Sequence, residues 1–485
     1  MHIAMKKMVS LLLVLLGTLS CSQDFIDRKP ISTVSTDVLY KTDKDFEDAV
    51  IGIYQPFHAQ YLNFWQIGDL TADDTEQQHS AALDLVNINN FIISSSLGVL
   101  NSSWLNYYQA IFRANTVLSN IDQANAATIP RKDRHIGEAK FLRALAYFDL
   151  VRIFGDVPMI SAPISAPEAA KKGRDKVSTV YDELIIKDLL DAESKLPEKY
   201  AGADVGRATK GAAKALLGKV YLTRKDFAKA EAKLKEVTTM GYALLPNYND
   251  LWDYTKNEHH SEYIFDIEYI DGGLGLGSTF SNIFAPNLSP IINFFGLKGA
   301  GGQNGSPTEA LFTLYEPSDK RKAISIAHVK DGLIDRNGNL IPMTPIDATS
   351  YTKKYMAALV NPNDSKANWK VIRYADVLLM YAEALNENGK TTEALTVLNQ
   401  VRARAGVPAL TGLSQSEARD KIYLERRLEM YLEGHRWFDL VRTGRALAVM
   451  QSQGMKAHMT VFPIPLSQIQ VINNPAIFPQ NPGYD

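Results

Sequence analysis

The chain has 485 residues, 46% of them hydrophobic and 22% charged, with 52 Lys and Arg against 54 Asp and Glu. It is too apolar and too evenly charged for intrinsic disorder, long enough for two or three folding units or one large all-α domain, and lacks the charge excess that nucleic acid binding needs. A single Cys excludes both a disulfide framework and a Cys-based metal cluster.

Lys6 and Lys7 precede an apolar run from Met8 to Leu19, broken only by Ser10, Gly17 and Thr18. The run is shorter than the about 20 residues that a membrane-spanning helix needs. A basic start and a short apolar stretch describe a secretory signal peptide over residues 1–20. Small residues, Thr18 and Ser20, end it directly before Cys21. The pattern resembles a bacterial lipoprotein signal, in which the Cys becomes the first residue and carries acyl chains; Thr18 stands where the strict pattern has Leu. Two or more such chains hold a protein stably on a membrane. Losing the leader, which carries two Lys and no acid, takes the formal charge from −2 to about −4. The polar stretch that follows, SQDFIDRKPISTVS, reads as a tether within residues 21–40. Ten of its residues span at most about 35 Å.

Helical periodicity then dominates residues 41–245. WLNYYQAIFRANTVLSNID and HIGEAKFLRALAYFDLVRIFG carry apolar residues at steps of three and four and predict one helical pair. AAKALLGKVYLTRKDFAKAEAKLKEV predicts a second, with Leu217, Gly218, Tyr221 and Ala230 spaced as in a tetratricopeptide repeat, where small residues let two helices cross closely. Residues 246–370 break the pattern. EYIFDIEYI has the composition of a short strand, glycine-rich stretches follow it, and DGLIDRNGNLIP reads as a hairpin turning at Asn337-Gly338. Connections this long are usually functional or disordered, and the helices framing this one on both sides favour function.

Helices return over 371–485. The segment from Arg373 to Gly406 repeats the tetratricopeptide spacing, with Ala382 and Ala394 as the small pair and Asn388-Gly389 as the turn. Ser414 and Glu417 predict a capping box before RDKIYLERRLEMYLEGHRWFDLVRTG. Within this last segment Glu433, His435, Arg436 and Asp439 imitate an acid–base or metal constellation. Trp437, Phe438 and Leu440 at helical spacing favour a buried helix corner instead, with Arg436 and Asp439 paired at i,i+3. His259-His260 is weaker still as a metal signal. No G-x-S-x-G, P-loop or H-E-x-x-H motif is present, so neither an enzyme nor a cofactor is expected. Adjacent Asp73 and Asp74 are expected to diverge rather than form the carboxylate pair of a glycosidase.

The C-terminal ERRLEMYLEGHRWFDLVRTG and VFPIPLSQIQVINNPAIFPQNPGY resemble the SusD/RagB family of outer-membrane lipoproteins. CSQDFIDRKP, FLRALAYFDLVRIFGDVP and RYADVLLMYAEALNE carry the same resemblance at the family's expected places. It implies a mainly α fold, a right-handed scaffold of tetratricopeptide-like hairpins with a loop-rich insertion containing short β-hairpins. It also implies a surface lipoprotein that captures oligosaccharides and passes them to a SusC-like TonB-dependent outer-membrane transporter. A carrier of peptide or other non-sugar cargo is the alternative, and an all-α glycoside hydrolase a more distant one.

A sugar offers hydroxyls to polar side chains and C–H faces to aromatic rings, so its site needs aromatics exposed on polar loops. Three stretches qualify: YLNFWQIGDLTADD with Tyr61, Phe64, Trp65 and Asp73; NYNDLWDY with Trp252; and the glycine-rich insertion with Phe280, Phe284, Asn293, Phe294 and Phe295. Trp65, in an Asp-rich stretch without helical burial, is the leading candidate.

Overall fold

Pairs of antiparallel helices follow one another along the chain, each packed on its predecessor. The computed structural model describes residues 40–77, 82–124, 126–256, 258–328, 333–334, 340–341 and 350–484. The leader, Cys21, nearly all of the tether and the Asn337-Gly338 turn lie outside the described residues. The chain of helices runs α1 (Asp43–Tyr61), α2 (Gly98–Gln123), α3 (Lys132–Phe154), α4 (Ile186–Lys195), α5 (Lys210–Thr223) and α6 (Phe227–Thr238). After the insertion, which holds the short α7 (Ser289–Phe294), it continues with α8 (Tyr374–Glu387), α9 (Thr391–Ala405) and α10 (Gln415–Glu429). Helix α8 packs directly on α6, so the repeat stack is continuous across the 135-residue interval between them. Among the described residues, no helix is long and apolar enough to cross a membrane.

Local chemistry explains the helix ends. Thr42 and Asp45 close a capping box at the start of α1, and Ser414 with Glu417 does the same for α10, as its sequence predicts. The side chains of Thr209 and Asp226 cap α5 and α6. In the α5–α6 pair the crossing point is Gly218, where an added Cβ would stand 2.6 Å from Leu234 Cγ and Cδ2. Ala230, Ala382 and Ala394 are fully buried at the equivalent crossings.

The insertion is stitched to both flanking regions. Strand β1 (Thr75–Glu76) pairs antiparallel with β3 (Ser306–Pro307), and β2 (Tyr263–Ile267) pairs with β8 (Trp369–Arg373), directly before α8. The expected hairpin is present as β5 (Leu333–Ile334) against β6 (Leu340–Ile341), while β4 (Ala327–His328) pairs with β7 (Ser350–Tyr351).

Beneath the insertion lies an aromatic core. Tyr355 stacks on Trp369 at 5.7 Å and 10°, Phe280 lies 5.2 Å from Tyr355, and Trp252 meets Tyr355 edge-on at 5.4 Å. Tyr61 stacks on Phe64 at 4.8 Å, and Phe64 in turn on Phe438 of α11 (Arg436–Arg442) at 5.7 Å. Offset and edge-on contacts of this kind are the favoured geometries for rings.

A buried ionic lattice joins the insertion to the C-terminal helices. Arg373 donates to Glu262 at 2.9 Å, to Glu429 at 2.6 Å and to Glu433 at 2.7 Å. Arg321 pairs with Asp319, Glu425 and Glu429, and Lys354 with Glu433 at 2.7 Å. Every one of these groups is fully buried, and each charge has at least one opposite partner, as burial demands.

Candidate functional site

The structure divides the aromatic candidates into two groups. Tyr61, Phe64, Trp65, Trp252, Phe280 and Phe284 are core residues, none more than 5% exposed. This corrects their reading as a sugar platform. The stretch around Trp65 is no open loop but the short helix Phe64–Gly68, and Trp65 packs edge-on against Phe284 at 5.4 Å. Tyr61 faces inward because its hydroxyl donates to buried Asp149 at 2.8 Å. Trp252 is covered by Tyr355 and by the Lys354 ammonium, 4.8 Å from its ring.

Asp73 is likewise committed. It accepts two hydrogen bonds from Arg436, at 2.8 and 3.0 Å, and pairs with Arg427 at 2.7 Å. Burial opposes its charge, but Arg436 and Arg427 hold its carboxyl below the usual range. Asp74 meets the same two arginines. The two acids therefore converge, contrary to expectation, and converge on cations rather than on open space. Arg436 is thereby taken from Asp439, which pairs instead with Arg426 and Arg442. The rest of that C-terminal constellation is structural as expected: Glu433 belongs to the ionic lattice, and burial with the Lys219 charge beside it pushes His435 down to about 3. Among the described residues, no group of three or more His, Cys, Asp or Glu is placed to hold a metal ion.

Asn293, Phe294 and Phe295 stay at the surface. Asn293 is exposed and both rings are half-buried at the end of α7, set perpendicular at 5.0 Å. Pro290 starts this helix, and the Leu359 N–H donates to Gly296 O at 3.0 Å just beyond its end. Phe295 meets Tyr351 of β7 edge-on at 6.4 Å, Ser350 Oγ donates to Pro307 O in β3, and β3 pairs with β1. Beyond β1 and β3, Gln77 Nε2 donates to Asn304 Oδ1 at 2.9 Å, and Asn304 is itself partly exposed. Helix α7, β7, β3, β1 and the Gln77–Asn304 pair thus follow one another across one loop face, which exposes Asn293 and part of the two rings at its α7 end, where the rings also pack on the core, and buries Gln77. Such a face offers C–H stacking and neutral hydrogen bonds. Sequence reasoning singled out the two rings and Asn293 as candidates; it gave no sign of the Gln77–Asn304 pair, whose members lie more than two hundred residues apart.

Comparison with known proteins decides the family. The model of the SusD family matches residues 347–484, and a second, described as starch-binding associating with outer membrane, matches residues 24–222. A SusD-like protein of Formosa agariphila is 29% identical over 99% of this chain and 100% of its own length. The chain belongs to the SusD/RagB family. Within that family it is 24% identical to the starch-binding protein SusD of Bacteroides thetaiotaomicron, over 75% of each chain. The solved structure of a laminarin-binding SusD-like protein superposes on it with a TM-score of 0.76 at 29% identity, covering 92% of this chain and 100% of the other. The fold expected of a SusD-family chain, helical pairs with a loop-rich insertion, is the fold observed.

Proposed function

We propose that this SusD-family protein is a non-enzymatic, cell-surface lipoprotein, held at the outer membrane through Cys21. It captures oligosaccharides on the loop face of α7 and hands them to a SusC-like TonB-dependent transporter. The observation that carries the capture step is the perpendicular Phe294–Phe295 pair, half-exposed beside exposed Asn293 on an otherwise well-tied loop face. The relatives named above as starch-binding and laminarin-binding support a glucan as the first cargo to test. A protein that passes its ligand on must release it, so dissociation constants between about millimolar and micromolar are expected, or roughly −4 to −8 kcal/mol. A lipid-held body on a short tether has a high effective concentration at any transporter in the same membrane.

Calorimetry with laminarihexaose and maltohexaose on the wild type and on a Phe294→Ala, Phe295→Ala double variant tests the capture step. At least one glucan should bind the wild type, and the double variant should lose about tenfold or more in affinity, some 1.4 kcal/mol, while keeping its Tm. Equal binding by both proteins removes the loop face from the reading, and cleavage products in the mixture would make the protein an enzyme. The anchor is tested in cells: Cys21→Ala should move the protein from the membrane fraction to the soluble one. Gentle detergent extraction of the wild type should bring down a large β-barrel protein; recovery of the lipoprotein alone would count against the transporter.

A further inference from the structure

A concavity of about 380 Å³ opens between the α4–α5 connection, the turn after α6 and the residues leading into β2. Its volume falls in the range of small-molecule sites, about 300–1,000 Å³. Tyr200, Tyr242 and Tyr263 line it, with His260, Thr209 and Met240 between them. None of these residues belongs to the loop face.

The tyrosines are seated by glycines. The Tyr242 ring lies against Gly211, where an added Cβ would fall 2.9 Å or less from three of its atoms, and its other neighbour is the Tyr374 ring, stacked at 6.2 Å. Tyr263 Oη donates to Gly206 O at 3.1 Å. Gly206 adopts φ +104°, and a Cβ there would meet the Glu268 carboxylate, which is itself engaged by His259 Nε2. The charge in the floor is already matched. Arg207 donates twice to Glu138, at 2.9 and 3.0 Å, and pairs with Glu47 as well. At the rim, Glu198 and Lys199 have opposite signs.

Two groups remain unmatched, Tyr200 Oη and His260 Nε2. His260 Nδ1 accepts a hydrogen bond from the Glu262 N–H at 3.2 Å, which places the proton of the neutral ring on Nε2. That Nε2 is buried and has no protein acceptor. Burial, with Lys370 and Arg373 adding to it, pushes His260 down to about 4, so the ring is neutral at pH 7. A buried donor without an acceptor is a cost that folded proteins rarely leave standing.

We infer that this cleft is a second binding site, for a single neutral sugar ring or the end of a disaccharide, with tyrosine faces against its C–H surfaces and His260 donating to one of its oxygens. Arg207 is held by Glu138 and Glu47, and the rim carries one acid and one base, so neither sign prevails in the cleft, which favours a neutral ligand over a phosphate or a carboxylate. The inference stands whether or not the loop face binds glucan.

Histidine ring resonances of the full mature chain, labelled in the imidazole and assigned with His260→Gln, provide the test. The probes are the methyl glycosides of glucose, galactose, mannose and xylose, each titrated alone. At least one should shift the His260 signal saturably, with a dissociation constant on the order of millimolar. Met240→Trp, which fills the cleft from its half-exposed rim, should weaken that response at least tenfold, and Ser261→Trp should do the same from the exposed side. The response should persist in the Phe294→Ala, Phe295→Ala chain, which separates this site from the loop face. If no glycoside moves His260, or if the shift survives in both blocked variants, the cleft is not a sugar site.

Discussion

Trp65 shows how a residue's surroundings in sequence can misdirect. Its neighbours Gln66, Asp69, Asp73 and Asp74 are polar, which reads as an open loop, yet its indole is 1% exposed. Those acids are polar for a different reason. Asp69 accepts from the Gly434 N–H, and Asp73 and Asp74 from arginines of α10 and α11, so each is a buried link to the C-terminal region. The partner that covers Trp65, Phe284, lies more than two hundred residues away and leaves no mark near it. The partial exposure of Phe294 and Phe295 was legible because their setting is glycine-rich and lacks periodic apolar partners. The structure converts the Trp65 expectation into one about stability. Trp65→Ala should cost about 3–5 kcal/mol of unfolding free energy, the usual range for a large aromatic lost from a core. Urea unfolding measures this. Where the variant remains folded, calorimetry should find its glucan affinity unchanged; a stable variant with lost affinity would return Trp65 to the binding face.

Elements were more legible than sites, because a helical pair is written in local spacing. The Gly218 and Ala230 pattern located α5 and α6, and Ser414 with Glu417 located the start of α10. The cleft around His260 was not legible, since its tyrosines come from three separate segments and His259-His260 reads in sequence only as a weak metal signal. The crossing of α5 and α6 gives the sharpest test of the repeat reading. Gly218 in a helix interior is unfavourable by about 1 kcal/mol relative to Ala. Propensity alone therefore makes Gly218→Ala stabilising. The structure says otherwise, because the new methyl would stand 2.6 Å from Leu234 Cγ, and Leu234 is fully buried. Overpacking costs roughly 1–3 kcal/mol, so the propensity gain is offset and the net effect should be a loss of up to about 2 kcal/mol. Leu234→Ala alone should cost about 2–5 kcal/mol, and the double variant should cost less than the two singles together, since the clash vanishes with the leucine. A rise in Tm for Gly218→Ala would mean that the two helices do not cross at this glycine.

At the scale of the whole molecule, buried charge joins repeat packing in holding the distant parts of the chain in register. The ionic lattice brings Glu262, Asp319, Arg321, Lys354 and Arg373 of the insertion and β8 against Glu425, Glu429 and Glu433, and Asp73 and Asp74 tie the N-terminal region to α10 and α11. Nothing in the sequence pairs these charges, because Arg and Glu on α10 look like an ordinary solvated face. The arrangement has a pH signature. Burial opposes the Glu433 charge, but Arg373 and Lys354 outweigh it and hold the carboxyl down at about 2; the same balance, set by arginines and a lysine, holds Glu429, Asp376 and Asp439 low. In the unfolded chain these groups titrate near their ordinary values, about 4. Between the two ranges the unfolded chain binds more protons, so their stabilisation is complete above about pH 4.5 and is lost as pH falls toward 2. His435, held at about 3, and His260, at about 4, act in the same direction from about pH 6.5 downward, whereas Asp266, pushed by burial up to about 7, and Asp69, raised by burial, act in the opposite one until about pH 4. Stability should therefore change little from about pH 7 to 4.5 and fall steeply below. Glu433 alone supplies on the order of 3 kcal/mol of that fall. Glu433→Gln should be less stable than the wild type at neutral pH, by about 3–5 kcal/mol, because Arg373 and Lys354 lose a buried partner. Its further loss on acidification should be smaller, since one titrating group is gone. Unfolding curves of both proteins across this pH range measure the two slopes. Parallel slopes would show that Glu433 is not charged in the folded core, and that the lattice is not what ties the insertion to the C-terminal helices.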